Sequence, residues 1–171
     1  MIYPFDGKYP QLDASVYAHR SALVIGDVVV GAQSSLWPNV VVRGDVYPIR
    51  IGARTNIQDN STVHVTGGRF ATVIGDEVTA GHNVVRHGCT IGSCCLIGIG
   101  AIILDGVEIG ENCLVGAGAL VTPGTKVAAR QLVLGSPAKA VRELSAEEVE
   151  KLRHSAQNYV EHAAHYRAQG L

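Results

Sequence analysis

The chain has 171 residues, of which 47 % are hydrophobic and 17 % are charged, and its formal net charge is −1. This composition supports one packed domain and excludes a disordered chain. The small net charge and the lack of any Lys/Arg-rich run argue against nucleic-acid and anionic-membrane binding.

The N-terminal segment predicts neither a signal peptide nor a membrane anchor. Charged residues and prolines interrupt residues 1–11, where a signal peptide needs an apolar stretch. No apolar run reaches the roughly 18 residues that a transmembrane helix needs. The four cysteines form no CxxC pair, and we expect reduced thiols in a cytoplasmic protein. They are Cys89, Cys94, Cys95 and Cys113.

A six-residue repeat runs through most of the chain. The same register begins in blocks at Val30, Ile51 and Ile74, and it continues without interruption from Ile91. A period of six fits a short strand, a tight turn and another strand. Three such units make one triangular coil, and coils stack at about 4.8 Å. The β-branched aliphatic positions of the last block are Ile91, Ile97, Ile103, Ile109, Val115, Val121 and Val127.

The predicted fold is an all-β solenoid with one C-terminal helix in a single domain, 1–171. Parallel crossovers are normally right-handed, so the left-handed parallel β-helix predicted for about 12–140 comes from resemblance to hexapeptide-repeat proteins. A capping box begins at Ser145, and apolar residues then follow at helical spacing. We therefore expect an amphipathic helix over about 145–168, packed along the solenoid or across a neighbouring chain.

Three histidines lie inside the repeat and predict a metal site. His64 and His87 follow the third aliphatic positions of consecutive coils, so they are expected to stack on one face, one strand spacing apart. Two imidazoles so placed can share a metal ion. His82 lies on another face or corner, where only a neighbouring chain brings it to that metal. Three-fold packing of triangular prisms then predicts three shared sites per trimer.

Other polar residues gather around the same rungs of the solenoid. Arg43 is in register with His64 and His87, Gln58 and Asp59 follow Ile57, and Asp59 lies one coil before His82. No function is assigned to the remaining four histidines. These are His19, His154, His162 and His165.

Several segments closely resemble the γ-class carbonic anhydrases. The resemblance implies a zinc-dependent enzyme that hydrates CO₂ reversibly to bicarbonate, with Fe²⁺ or Co²⁺ as alternative metals and a homotrimer as the assembly. It implies that His64, His82 and His87 are the ligands, with His82 from the adjacent subunit. The segments are Val42-Arg-Gly-Asp45, Thr55-Asn-Ile-Gln-Asp59, His64-Val65, Gly81-His82 and His87-Gly-Cys-Thr-Ile-Gly92, and Gly135-Ser-Pro-Ala-Lys139 resembles the closing segment of hexapeptide-repeat proteins.

The same resemblance implies roles for residues around the metal. Arg43 and Asp45 form an ion pair between subunits. Gln58 hydrogen-bonds the metal-bound hydroxide that attacks CO₂. Three further side chains lie close to the site, the last of them approaching from the helix: Asn56, Asp59 and Tyr159.

Two departures from the family pattern leave alternatives open. Active members carry an acidic loop for proton export, whereas residues 66–72 here are short and contain no acid, and Val46 follows Asp45 where an active relative has Glu. One alternative is a catalytically weak or silent metal-binding relative. Another is a coenzyme A-linked acyltransferase or thioesterase, since hexapeptide solenoids often serve such enzymes. Those transferases need one histidine and a groove rather than three converging histidines.

Arg86 conflicts with the repeat. It occupies an inward position, and an unpaired buried guanidinium is very costly. We expect Arg86 either to turn outward toward an interface or to pair with a carboxylate.

Overall fold

A computed structural model describes all residues, 1–171, as a stack of short strands followed by one helix. The helix α1 spans Ala146–Ala168. The strands are β1 Ile2–Tyr3, β2 Gln11–Leu12, β3 Tyr17–Ala18, β4 Leu23–Val30, β5 Ser35–Leu36, β6 Val41–Ile51, β7 Asn56–Ile57, β8 Thr62–His64, β9 Thr72–Ile74, β10 Thr79–Ala80, β11 Val85–His87, β12 Thr90–Ile91, β13 Leu96–Ile97, β14 Ile102–Ile103, β15 Glu108–Ile109, β16 Leu114–Val115, β17 Leu120–Val121, β18 Lys126–Val127, β19 Gln131–Gly135 and β20 Ala138–Glu143.

Parallel pairing arranges these strands on the three faces of a prism, which confirms the left-handed β-helix. The first face consists of the start of β6 with β8, β11, β14 and β17. The second face consists of the end of β6 with β9, β12, β15 and β18, and the third face runs from β3 through β5, β7, β10, β13, β16 and β19 to β20. Strand pairing begins at Ile2, earlier than the predicted bound near residue 12. An antiparallel strand, β20, closes the stack.

The core lies on the prism axis, where aliphatic side chains from the three faces meet. All seven inward positions from Ile91 to Val127 are buried, so the six-residue register is correct. Cys95 and Cys113 occupy the small inward position of successive coils as free buried thiols. Each fully buried Ile or Val stabilises the fold by about 1.5–3 kcal/mol.

Arg86 is also buried in this core, so both expectations for it are wrong. It is 0 % exposed, and its three guanidinium nitrogens have no hydrogen-bond partner. The register explains its direction, because Arg86 pairs with Val63 on one side and Ile103 on the other, and both of these point inward. Six residues earlier in the register lies Ala80, which is smaller than its ladder partners Ile57 and Ile97. Burial lowers the pKa of Arg86 to about 10, so the group is still charged at neutral pH.

Helix α1 packs on the third face, as its apolar spacing predicts. Ser145 caps it, and the Ser145 and Glu148 side chains each accept the backbone N–H of the other residue. Trp37 of the solenoid meets Tyr159 of the helix edge to face at 5.6 Å. The buried stripe of the helix comprises Val149, Leu152, Ala156 and Ala163. No helix is long and apolar enough to cross a bilayer.

Because of the Glu148 carboxylate, we expect the free energy of unfolding to decrease at acidic pH. Hydrogen bonds from Arg142 and from the Ser145 backbone lower the pKa of Glu148 from 4.5 to about 2. Because the folded state has the lower pKa, the ionised group stabilises the fold above its unfolded pKa, and this contribution is lost as the pH falls toward about 2. Glu148→Gln should lower the guanidinium chloride midpoint at pH 7, and the difference should shrink in acid.

The control for this prediction is Glu161→Gln, which removes a carboxylate bonded only to Gln157 on the same helix. Its midpoint should follow the wild type at both pH values. Identical midpoints of Glu148→Gln and the wild type at pH 7 would contradict the prediction.

Candidate functional site

The predicted site residues form two clusters at opposite edges of the first face. His64 ends β8 and His87 ends β11, where the first face turns into the second. His82 follows β10, where the third face turns into the first. The outward side chains between these edges include Val85 and Ile102, which are more than a third exposed. A single chain therefore presents two polar clusters separated by an apolar strip.

In the first cluster the two predicted ligands face each other. His64 and His87 are direct partners in the ladder between β8 and β11. The Nδ1 atom of His64 lies 3.0 Å from the Nε2 atom of His87. Two nitrogens bound at ~2.1 Å to a tetrahedral zinc ion would be about 3.4 Å apart. The two rings thus fit a pair of ligands to one metal ion with only a small adjustment.

Carboxylates hold the far side of both rings. Asp45 Oδ1 lies 3.1 Å from His64 Nε2, and Asp105 Oδ1 lies 2.6 Å from His87 Nδ1. A carboxylate on the second ring nitrogen is the usual partner of a metal-binding histidine, because it fixes the tautomer and the ring orientation. Each ring therefore turns the lone pair of its other nitrogen toward the gap between the two rings.

The charge states of this cluster follow from its surroundings. Burial lowers the pKa of His64 despite the hydrogen bond to Asp45. Burial works to raise the pKa values of Asp45 and Asp105, but their hydrogen bonds, including those with His64 and His87, outweigh it and hold both values below the usual range. His64 is thus neutral, and the two carboxylates ionised, at neutral pH. Neutral imidazole is the form that binds a metal.

Arg43 lies in the same cluster and pairs with Asp45 of its own chain. The resemblance implies that these two residues pair between subunits. The single chain shows the contact within one subunit, and an ion pair across an interface stays a prediction.

The second cluster contains His82 and the predicted polar residues of the third face. His82 Nδ1 lies 2.9 Å from Asp59 Oδ2. Gln58 Nε2 donates to Asn56 Oδ1 at 3.0 Å, and Asn56 Nδ2 donates to Thr79 Oγ1 at 3.0 Å. Because Gln58 and Asn56 are buried, this chain of amides has one arrangement. This arrangement leaves the side-chain oxygen of Gln58, Oε1, available as an acceptor.

A cleft of about 230 Å³ separates α1 from the third face at this cluster. Gln58, Ser155 and Tyr159 line it, together with Gly81 and Ile99. Tyr159 therefore lines the same cleft as Gln58. The sequence analysis placed Tyr159 near the site only through the family resemblance.

One chain alone does not assemble a three-ligand site. No group of three His, Cys, Asp or Glu side chains is arranged to hold a metal ion. The His82 ring instead contacts the Asp59 carboxylate. This pair lies at the opposite edge of the first face from His64 and His87. The prediction that His82 of a second copy of the chain completes the site stays a prediction.

Sequence reasoning missed Asp105 and its partner Thr66, whose Oγ1 donates to Asp105 Oδ2 at 2.8 Å. A signal for Asp105 was present in the repeat. It follows His87 by 18 residues, which is one coil of three hexapeptides. A carboxylate one coil after a candidate ligand lies on the next rung of the same edge.

Comparisons with known proteins agree with this architecture. Residues 88–123 match the family model described as bacterial transferase hexapeptide, six repeats. Protein YrdA of Escherichia coli K12 is 49 % identical, over 99 % of this chain and 96 % of that protein. A carbonic anhydrase of Geobacillus kaustophilus is 47 % identical, over 98 % of this chain and 92 % of that protein.

One plant relative and one solved structure extend the comparison. Gamma carbonic anhydrase 2, mitochondrial, of Arabidopsis thaliana is 44 % identical over 90 % of this chain, which spans 57 % of that protein. The crystal structure of the BC4754 gene product of Bacillus cereus has a TM-score of 0.95 and 43 % identity, covering 98 % of this chain and 97 % of that one. Its description places it provisionally among acetyltransferases.

Proposed function

The chain belongs to the γ-class carbonic anhydrase family, and from this membership we propose that it is a metal-dependent enzyme that hydrates CO₂ reversibly to bicarbonate. The proposed metal is Zn²⁺, with Fe²⁺ and Co²⁺ as alternatives. The proposed ligands are His64 and His87 of one subunit and His82 of the next subunit in a homotrimer. The four free cysteines support a cytoplasmic location.

The facing imidazoles of His64 and His87 carry this proposal. Their free nitrogens lie 3.0 Å apart, and each far nitrogen is held by a carboxylate. The two rings are therefore held by their carboxylates with the other two nitrogens facing each other, as a pair of metal ligands requires. Two histidines from one chain and one from the next would make three protein ligands, and three protein ligands with an open fourth position are the pattern of catalytic zinc sites.

The position of the second cluster supports a shared site. The first face has His82 at one edge and His64 with His87 at the other. If three prisms form a ring, one edge of each first face meets the opposite edge of the next, because a heterologous contact joins two different patches. The apolar residues Val85 and Ile102 then become buried between subunits.

Three neutral imidazoles would leave Zn²⁺ its full charge, so that it acidifies a bound water toward neutral pH. The protein's own contribution is orientation. Thr79 and Asn56 hold the Gln58 amide, and the Gln58 carbonyl oxygen accepts an O–H hydrogen bond from the attacking water. Asp59 orients His82 from its Nδ1 side, and Tyr159 bounds the cleft.

The test is a stopped-flow measurement of CO₂ hydration with protein purified anaerobically and loaded with Zn²⁺, Fe²⁺ or Co²⁺. We expect about one metal ion per chain and a hydration rate well above background. Because residues 66–72 supply no acid, the rate should rise with buffer concentration as the buffer carries the proton away. Metal-loaded trimer that hydrates CO₂ no faster than buffer would contradict the proposal.

Measurements on the same purified protein also distinguish two alternative functions from CO₂ hydration. The loop without acids favours a silent relative whose metal only stabilises the trimer, and then a chelator would lower the melting temperature of a protein without turnover. The description of the Bacillus cereus structure favours an acetyltransferase, and then acetyl-coenzyme A would be consumed without a metal. Facing imidazoles with carboxylates behind them support a metal site, which acetyl transfer does not need, and the relatives named carbonic anhydrase favour hydration over a silent metal site.

A further inference from the structure

The loop of residues 66–72 lies against both candidate ligands of the first cluster. Thr66 forms an isolated bridge with Phe70, which folds the loop back on itself. The Thr66 hydroxyl donates to Asp105 Oδ2 at 2.8 Å, and the other oxygen of Asp105 lies 2.6 Å from His87 Nδ1. The loop is therefore connected to a proposed metal ligand through one carboxylate.

The other end of the loop joins the backbones of the two ligand strands. Thr72 is fully buried, and its Oγ1 donates to the His64 carbonyl at 2.5 Å while accepting the Gly88 N–H at 3.0 Å. Gly88 follows His87 with a φ of +57°. A Cβ at this position would clash with the Asp105 carboxylate. Glycine is thus required for the approach of Asp105 to His87.

These contacts determine the state of the His87 ring. The Asp105 oxygen at 2.6 Å accepts a hydrogen bond from His87 Nδ1–H, which leaves the Nε2 lone pair directed at His64. A carboxylate with a single partner would still rotate about its terminal torsion, since that torsion is broad. The hydroxyl of Thr66 occupies the second oxygen and fixes the plane of the carboxylate.

We propose that Thr66 and Asp105 are positioning residues that hold His87 in its metal-binding orientation, so that the 66–72 loop controls metal affinity. This inference rests on the metal site of the proposed function. The loop would thus position a metal ligand, whereas the acidic loop of active family members exports protons.

The experiment measures metal binding by the full-length protein, with Zn²⁺ competition against a chromophoric chelator and the visible spectrum of bound Co²⁺. Removing a carboxylate partner of a ligand histidine typically weakens metal binding about 10- to 100-fold, and we expect this for Asp105→Ala. Thr66→Val should weaken binding about tenfold, while Thr66→Ser, which keeps the hydroxyl, should restore it. Both weakened variants should shift the Co²⁺ spectrum, because the ligand geometry changes.

The double variant Thr66→Val/Asp105→Ala should bind no more weakly than Asp105→Ala, since both residues act through one contact. Thr125→Val, which removes a hydroxyl at another corner of the solenoid, is the matched control and should bind as the wild type does. Wild-type affinity and spectrum in Asp105→Ala would overturn the inference, and so would additive effects of the two changes. Failure of the wild type to bind Zn²⁺ would overturn it together with the proposed metal site.

The outcome is independent of turnover. A wild type that binds Zn²⁺ without hydrating CO₂ would contradict the proposed activity alone. The expected affinities of the variants would then still assign Thr66 and Asp105 to the metal site.

Discussion

Mixed trimers that contain both His64→Ala and His82→Ala chains are expected to recover about one third of the wild-type hydration rate, although each variant alone is inactive. Each single change removes one proposed metal ligand from every site of its trimer. We expect each to lower metal-dependent hydration by at least about 100-fold. The structure motivates the mixture because His64 and His82 lie at opposite edges of the first face.

The recovery follows from counting interfaces in a ring. A site is intact only where a subunit with native His64 and His87 precedes a subunit with native His82. A mixed trimer holds two chains of one kind and one of the other, so this order occurs at about one interface in three. The measurement uses differently tagged chains, refolded together and purified through both tags, so that only mixed trimers enter the assay.

A mixture of His64→Ala and His87→Ala provides the matched control. These residues face each other within one chain at 3.0 Å, so no ordering of the two variants creates a complete site, and the mixture should stay inactive. Recovery in this control would place the two histidines in separate half-sites. Purified His64→Ala/His82→Ala trimers without activity would contradict the shared site.

Replacing Arg86 with valine is expected to stabilise the protein, because it removes a charge that the core does not compensate. The guanidinium is fully buried and its three nitrogens are unpartnered. Substituting buried charges by apolar residues commonly gains about 1–4 kcal/mol. Valine alone, however, leaves an unfilled space beside Ala80, and cavities cost stability.

A double change tests this explanation more sharply. Ala80→Ile with Arg86→Val reproduces the Ile57 and Val63 pair of the neighbouring coil, to which these positions are registered. We expect the double variant to be about 3 kcal/mol more stable than the wild type. Ala80→Ile alone should cost about 1–3 kcal/mol, because the core then holds both large side chains.

Guanidinium chloride unfolding measures the free energy of unfolding of all four proteins. The protein concentration is kept the same, since the stability of the proposed trimer depends on it. We expect Ala80→Ile to be the least stable protein, followed by the wild type and then Arg86→Val, with the double variant the most stable. A double variant less stable than the wild type would show that a partner compensates the charge of Arg86, because in that variant isoleucine fills the space that valine leaves. Additive effects of the two changes would show that the residues do not share one volume.

Much of the fold is predictable from the sequence because the hexapeptide period links chain position to rung and face. The register alone stacks His64 on His87 and Asp59 on His82, and the structure confirms both pairs. The helix beginning after Ser145 is equally predictable, because its cap and its apolar stripe are local features.

Other features depend on side-chain directions and volumes that no periodicity encodes. The period marks Arg86 as inward, but only the packed structure shows that its guanidinium is fully buried without a hydrogen-bond partner. The resemblance places Tyr159 near the site, and the angle of α1 on the third face brings it to the Gln58 cleft.

The sequence by itself determined the coil, its register and the three histidines, since a strict period converts spacing along the chain into position on the prism. The tertiary structure decided which nitrogen of each ring faces the other and that Asp45 and Asp105 stand behind them. It also connected the 66–72 loop to His87 through Thr66. These contacts join residues of different rungs through freely rotating side chains, and only the packed molecule selects one arrangement among them.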